Sequence, residues 1–188
     1  MGGLGRMEDS GEGVSFISGY RLGLRLVMPE DAQFIHALRS DPMYNAHLST
    51  VAGGAEDQRS WIEHYKLREA TGTELYYVIE RRDGVPCGVV RLYEIQEDSF
   101  TWGSWILNGD KPAKAALESA VLSFGVGFDL LGLKRASFDA RLKNAQAIAF
   151  YRRFGAIETA RDSVNIYFEY PCDLYFRDRA KYDKIIRG

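Results

Sequence analysis

The chain has 188 residues, of which 46% are hydrophobic, 13% aromatic and 27% charged, enough apolar surface for one buried core and unlike a disordered or collagen-like chain. Its 24 basic and 26 acidic side chains leave a formal charge of −2, so no global positive field gathers nucleic-acid backbones or anionic lipid. Cys87 and Cys172 stand 85 positions apart without a CxxC pair, which is neither a disulfide framework nor a zinc site and fits a reducing, cytoplasmic setting.

Residues 1–19 read as a flexible tail, with glycine at positions 2, 3, 5, 11 and 13 of its first thirteen residues, ahead of a single domain over residues 20–188. Arg6 stands where a myristoylation signal wants Ser or Thr, and no apolar run approaches the ~20 residues that cross a bilayer. Tyr20 to Met28 is strand-like, and Pro29-Glu30-Asp31 then opens a helix carrying Phe34, Ile35 and Leu38 that Asp41-Pro42 closes. Glu56-Asp57 opens a second helix with Trp61, Ile62 and Tyr65 at helical spacing. Three antiparallel strands follow at Leu75–Glu80, Cys87–Ile95 and Phe100–Leu107, separated by Asp83-Gly84 and by Glu97-Asp98-Ser99. Leu117, Val121, Phe124, Phe128 and Leu131, at offsets 0, 4, 7, 11 and 14, predict a long helix that Gly132 stops. A strand over Lys134–Ala140, a helix over Asn144–Phe154 closed by Gly155 and a strand over Val164–Tyr170 complete the pattern. Leu174–Ile186 reads as an amphipathic helix capped by Asp173, with Tyr175, Tyr182 and Ile185 inward. The order β-α-α-β-β-β-α-β-α-β plus a C-terminal helix implies an α/β fold of the α+β, mixed-sheet kind.

The sharpest motif is Asn144 to Gly155, of the form N-x-x-A-x-x-x-Y-x-x-x-G, in which Asn144 is placed to cap the helix and Ala147 and Tyr151 share one face. This stretch, with the order of elements before it, resembles the GNAT superfamily of acetyl-CoA-dependent N-acetyltransferases. The resemblance implies that Asn144 bonds the pantetheine arm of CoA beside Ala147, and that Tyr151 donates a proton to the departing thiolate. It also implies a pyrophosphate loop at the start of the long helix. There Lys111 takes the basic position, Lys114 replaces a glycine and Ala116 meets the small final position, with Ala115 between them. The strand segment Trp105, Ile106 and Leu107 is expected to pair with the pantetheine amides, and Gly103 suits a bulge or close approach. By strand alternation Trp102 and Trp105 lie on opposite faces, so at most one of them faces the acyl group.

A protonated amine must lose a proton before it attacks. Glu94, Asp139 and His47 are the candidate bases in that order, with ordered water as a further route, while Thr101 stands where some relatives carry a glutamate. Acceptor choice in the family comes from the early helices and their connecting loop. Here Leu38–Ser49, with Gln58, Trp61, Tyr65 and Tyr76–Ile79, is similar to nucleotide-linked amino-sugar acetyltransferases, which implies Tyr44, Asn45, His47 and Trp102 as acceptor contacts. The expected activity is acetyl transfer from acetyl-CoA to the primary amine of a small molecule such as an amino sugar, by direct attack and without a metal. A protein N-terminus as acceptor, and a non-catalytic acyl-CoA-binding or assembly module, stay open. So does a homodimer. Neither nucleic acid nor membrane is an expected partner.

Overall fold

The computed structural model describes residues 13–188, so the residues 1–12 of the expected tail lie outside the description. Eight strands form one sheet in the order β1-β2-β3-β4-β5-β6-β8-β7. They are β1 (Phe16–Ser18), β2 (Leu22–Leu26), β3 (Leu75–Arg81), β4 (Pro86–Tyr93), β5 (Ser99–Leu107), β6 (Arg135–Arg141), β7 (Ile157–Arg161) and β8 (Asn165–Pro171). The helices are α1 (Ala32–Ser40), α2 (Pro42–Asn45), α3 (Ala55–Ala70), α4 (Ala115–Gly125), α5 (Ala145–Phe154) and α6 (Cys172–Arg187).

Burial on both faces explains the near-continuous apolar run of β3. Leu75, Tyr77 and Ile79 enter one core with residues of α4, α5 and α6, whereas Tyr76 and Val78 enter a second with Ile35 and Leu38 of α1 and Ile62 and Tyr65 of α3. Past the middle of the sheet only one face is covered. In β6 Ala136, Phe138 and Ala140 are buried while Arg135, Ser137, Asp139 and Arg141 alternate with them outward.

Several expectations change. The sheet begins before residue 20, because Phe16–Ser18 pairs antiparallel with Gly23–Arg25. A strand the pattern did not show, β7, adds to β8 as the sheet edge. All five of its residues are exposed, so it carries none of the alternation that would announce it. The loop between the first two helices holds the short helix α2, in which Asp41 Oδ1 accepts from the Met43 amide at 2.8 Å. The long helix is not uniform. After Gly125 the chain widens into a π turn over Val126–Leu130, which rotates Leu131 off the buried face and leaves it exposed. Gly127 belongs to that turn because a Cβ there would stand 2.2 Å from the Phe100 ring. In α6 the inward residues are Tyr175, Tyr182 and Ile186, and Ile185 is exposed. Spacings of 7 and 11 hold one helical face, and a spacing of 10 falls almost a quarter turn away.

Candidate active site

Strands β5 and β6 run parallel but pair only at Ser99↔Arg135, Phe100↔Ala136 and Thr101↔Ser137. Beyond Thr101 they part, and the facing edges of Trp102–Leu107 and Phe138–Arg141 share no pairing. The gap opens into a cleft of about 410 Å³ whose walls include Gly103, Trp105, Asp139, Asn144 and Tyr151. A split sheet leaves backbone donors and acceptors that an extended ligand can pair with as though it were another strand.

A bulge shapes the β5 wall. Arg91 pairs with Gly103 and Val89 with Ile106, so two residues of β5 oppose one of β4, and Ser104 adopts φ +49°. The extra residue reverses the facing of everything after it, and this corrects the expectation for the two tryptophans. Trp102 and Trp105 lie on the same face, ring centroids 5.1 Å apart. Their indole N–H groups donate to two serines one turn apart on α4, Trp102 to Ser123 Oγ at 2.9 Å and Trp105 to Ser119 Oγ at 3.1 Å. Trp102 is 1% exposed and belongs to the core behind the cleft, stacked on Phe124. Trp105 is the more open of the two. Nothing in the spacing of Ser119 and Ser123 sets them apart from ordinary helix positions until the strand is seen beside them.

The opposite wall comes from α5. Asn144 Oδ1 accepts the Ala147 amide at 3.1 Å, and its side-chain NH₂ has no acceptor among the described residues. Such a cap contributes about 1 kcal/mol and fixes where the helix starts. Ala147 sits half-buried against the core one turn before Tyr151, and Gly155 closes the helix at φ +94°. Tyr151 is 7% exposed and caged by Phe138, Phe168, Trp102 and Trp105, with centroid distances of 4.9 to 6.4 Å. Its hydroxyl makes no hydrogen bond among the described residues. Burial, and then the charge of Asp139, push its pKa well above the ordinary phenol value, so it stays a proton donor.

At the start of α4, Lys114 takes φ +65°, the left-handed conformation in which a glycine is favoured. The lysine therefore preserves the turn that a glycine would make. The Ala116 and Leu117 amides have no acceptor among the described residues, as befits the first turn of a helix, whose dipole also favours an anion there. Ala115 is buried and Ala116 half-buried. Lys114 Nζ donates to the Ile185 carbonyl of α6 at 2.6 Å, and Lys111 Nζ to the Asn108 carbonyl at 3.3 Å. One lysine is thus tied to the far end of the chain and the other to its own turn.

The remaining candidates divide. Asp139 lines the cleft, and its carboxyl pKa is raised, by desolvation before all else. His47 and Tyr44 line it too, although the Tyr44 hydroxyl already accepts the Gly109 amide at 3.0 Å. Asn45 does not, since its side chain folds the loop by donating to the Ser40 carbonyl. Glu94 lies exposed beyond β4, accepting from the Thr101 hydroxyl at 2.8 Å, and is not part of the cleft wall. Residues not singled out in the sequence join the site: Arg39, Arg141 and Tyr93. Tyr93 faces Gly103, where an added Cβ would stand 3.2 Å from its ring, and Arg91 stacks on it at 4.4 Å. Arg91 is held in turn by the buried Glu74, which also pairs with Arg68.

Residues 21–157 match the family model described as "Acetyltransferase (GNAT) domain". The chain belongs to the GNAT acetyltransferase family. Among solved structures similar to this GNAT is apo FdhC, titled a nucleotide-linked sugar GNAT, 39% identical, covering 86% of this chain and 93% of its own, with a TM-score of 0.80. Vibrio cholerae spermidine N-acetyltransferase in complex with CoA and spermine shares the fold at 20% identity, covering 83% of this chain and 98% of its own, with a TM-score of 0.72. Mycobacterium smegmatis RimJ in complex with CoA-disulfide does so at 16% identity, covering 85% and 88%, with a TM-score of 0.69. No curated protein matches the chain. As a GNAT, it is an N-acyltransferase that uses acetyl-CoA. The site suits that co-substrate, with unpaired strand edges for its amides and open α4 amides for its phosphates.

Proposed function

We propose that this GNAT acetylates the primary amine of an amino sugar by direct attack, with Asp139 as base and Tyr151 as acid. The observation that carries the chemistry is the placing of Asp139 and Tyr151 in the walls of one cleft, where β5 and β6 separate. Bound acetyl-CoA supplies a thioester, whose carbonyl carbon accepts the amine and whose sulfur leaves. Asp139, on the outward face of β6, takes the proton that the ammonium must lose. Tyr151, with a free hydroxyl and a raised pKa, returns a proton to the leaving sulfur. The unpaired edge of β5 and the Asn144 amide orient the donor's arm, and the α4 amides with Lys111 and Lys114 receive its phosphates.

No thiol is needed for the transfer. Cys87 is buried with its pKa pushed up to about 11, which suppresses the thiolate. A sugar acceptor is supported by the 39% identity to a protein titled a nucleotide-linked sugar GNAT, over 86% of the chain. Thiol release from acetyl-CoA, measured across amino sugars, polyamines and N-terminal peptides, tests this reading. Saturable turnover of an amino sugar is the expected result, and turnover confined to peptides or polyamines overturns it.

A further inference from the structure

The cleft wall also carries positive charge. Arg39 comes from α1 and Arg141 from the last position of β6, and both belong to the cleft wall. Neither makes a salt bridge among the described residues, although most arginines of this chain do. Arg39 donates one bond, to Ser49 Oγ at 3.2 Å, which steadies the guanidinium and leaves its other N–H groups free. Arg141 donates to no group among the described residues. The cleft wall holds one carboxylate, Asp139, against these two cations.

Two guanidinium groups that make no salt bridge among the described residues present forked donors that match phosphate oxygens, and the field they set up repels a polycation. A polyamine would need carboxylates here, and a free amino sugar would leave both cations unanswered. We infer that Arg39 and Arg141 bind the diphosphate of the acceptor, so that the substrate is an amino sugar linked to a nucleoside diphosphate. This rests on the proposed sugar acetylation and adds to it the residues that select the linked over the free sugar.

The test compares kcat/KM for one amino sugar in free form and linked to uridine or thymidine diphosphate, in the wild-type enzyme and in Arg39→Gln and Arg141→Gln. The linked form is expected to be preferred at least a hundredfold, and each variant to cut that preference at least tenfold with KM for acetyl-CoA changed less than twofold. Arg39→Lys and Arg141→Lys, which keep the charge but lose the fork, are expected to fall between, and they serve if a glutamine variant does not fold. Equal use of free and linked sugar by the wild-type enzyme overturns the inference while sparing the sugar reading. So does an undiminished preference in the variants. A raised KM for acetyl-CoA in both variants would assign the arginines to the donor's phosphates instead. If no sugar reacts and another amine does, the sugar reading itself fails.

Discussion

Tyr151 and Asp139, the proposed acid and base, stand in one cleft that raises the pKa of both. The phenol is buried in an aromatic cage, where ionisation would place a charge among rings, so it keeps its proton across the working range. Tyr151→Phe removes only the hydroxyl and leaves the ring contacts, and we expect kcat to fall on the order of a hundredfold with KM for acetyl-CoA nearly unchanged, as steady-state thiol release would show. For Asp139 the shift has the same sign and the opposite consequence. Desolvation raises its carboxyl pKa, Arg141 opposing and Asp162 adding to the shift. A base works only when deprotonated, so the acid limb of kcat/KM is expected above the ordinary carboxylate value, with activity lost as pH falls through it. Asp139→Asn should lower kcat/KM and abolish that limb in a pH-rate profile, whereas Glu94→Gln should leave the limb in place because Glu94 stands outside the cleft.

Between single residues and the whole fold, the start of α4 shows what an element demands of its sequence. The turn needs a left-handed residue, and Lys114 adopts it while its ammonium reaches the Ile185 carbonyl of α6. Lys114→Gly and Lys114→Ala both delete that tie but differ in the backbone. Alanine should be the less stable of the two by about 1 kcal/mol in chemical denaturation, since a Cβ disfavours φ near +65°. The missing glycine looks in the sequence like a broken phosphate loop. In the structure the turn survives, because conformation and not residue type is what the open amides require. The β5 bulge is a second case. Alternation assigns Trp102 and Trp105 to opposite faces, and one extra residue at Gly103–Ser104 brings both indoles to the serines of α4.

At the scale of the molecule, the cleft exists because β5 and β6 pair for only three residues before they diverge. Each strand is anchored on its far side, β5 to β4 and β6 to β8, which holds the two edges apart. A ligand that spans the gap binds the folded chain alone and adds RT ln(1 + [L]/Kd) to its stability. Acetyl-CoA at a hundred times its Kd should therefore contribute about 2.7 kcal/mol, read as a rise in Tm of roughly 5–10 °C in a thermal melt. No rise at millimolar acetyl-CoA would mean that the gap does not admit the donor.

Local chemistry determined much of this protein. Periodicity placed α1, α3, α5 and the three-strand run from β3 to β5, and the Asn144 to Gly155 motif disclosed its cap, its tyrosine and its glycine stop, because caps, helical faces and turns depend on neighbours within a few positions. Tertiary structure decided what depends on distant partners. The exposed edge strand β7 carries no alternation, and the bulge that turns Trp105 is defined only by its register against β4. Arg39 and Arg141, 102 positions apart in sequence, line one cleft only in the folded chain. Such a juxtaposition leaves no local signature, since the energy that enforces it resides in two cores packed on opposite faces of the sheet.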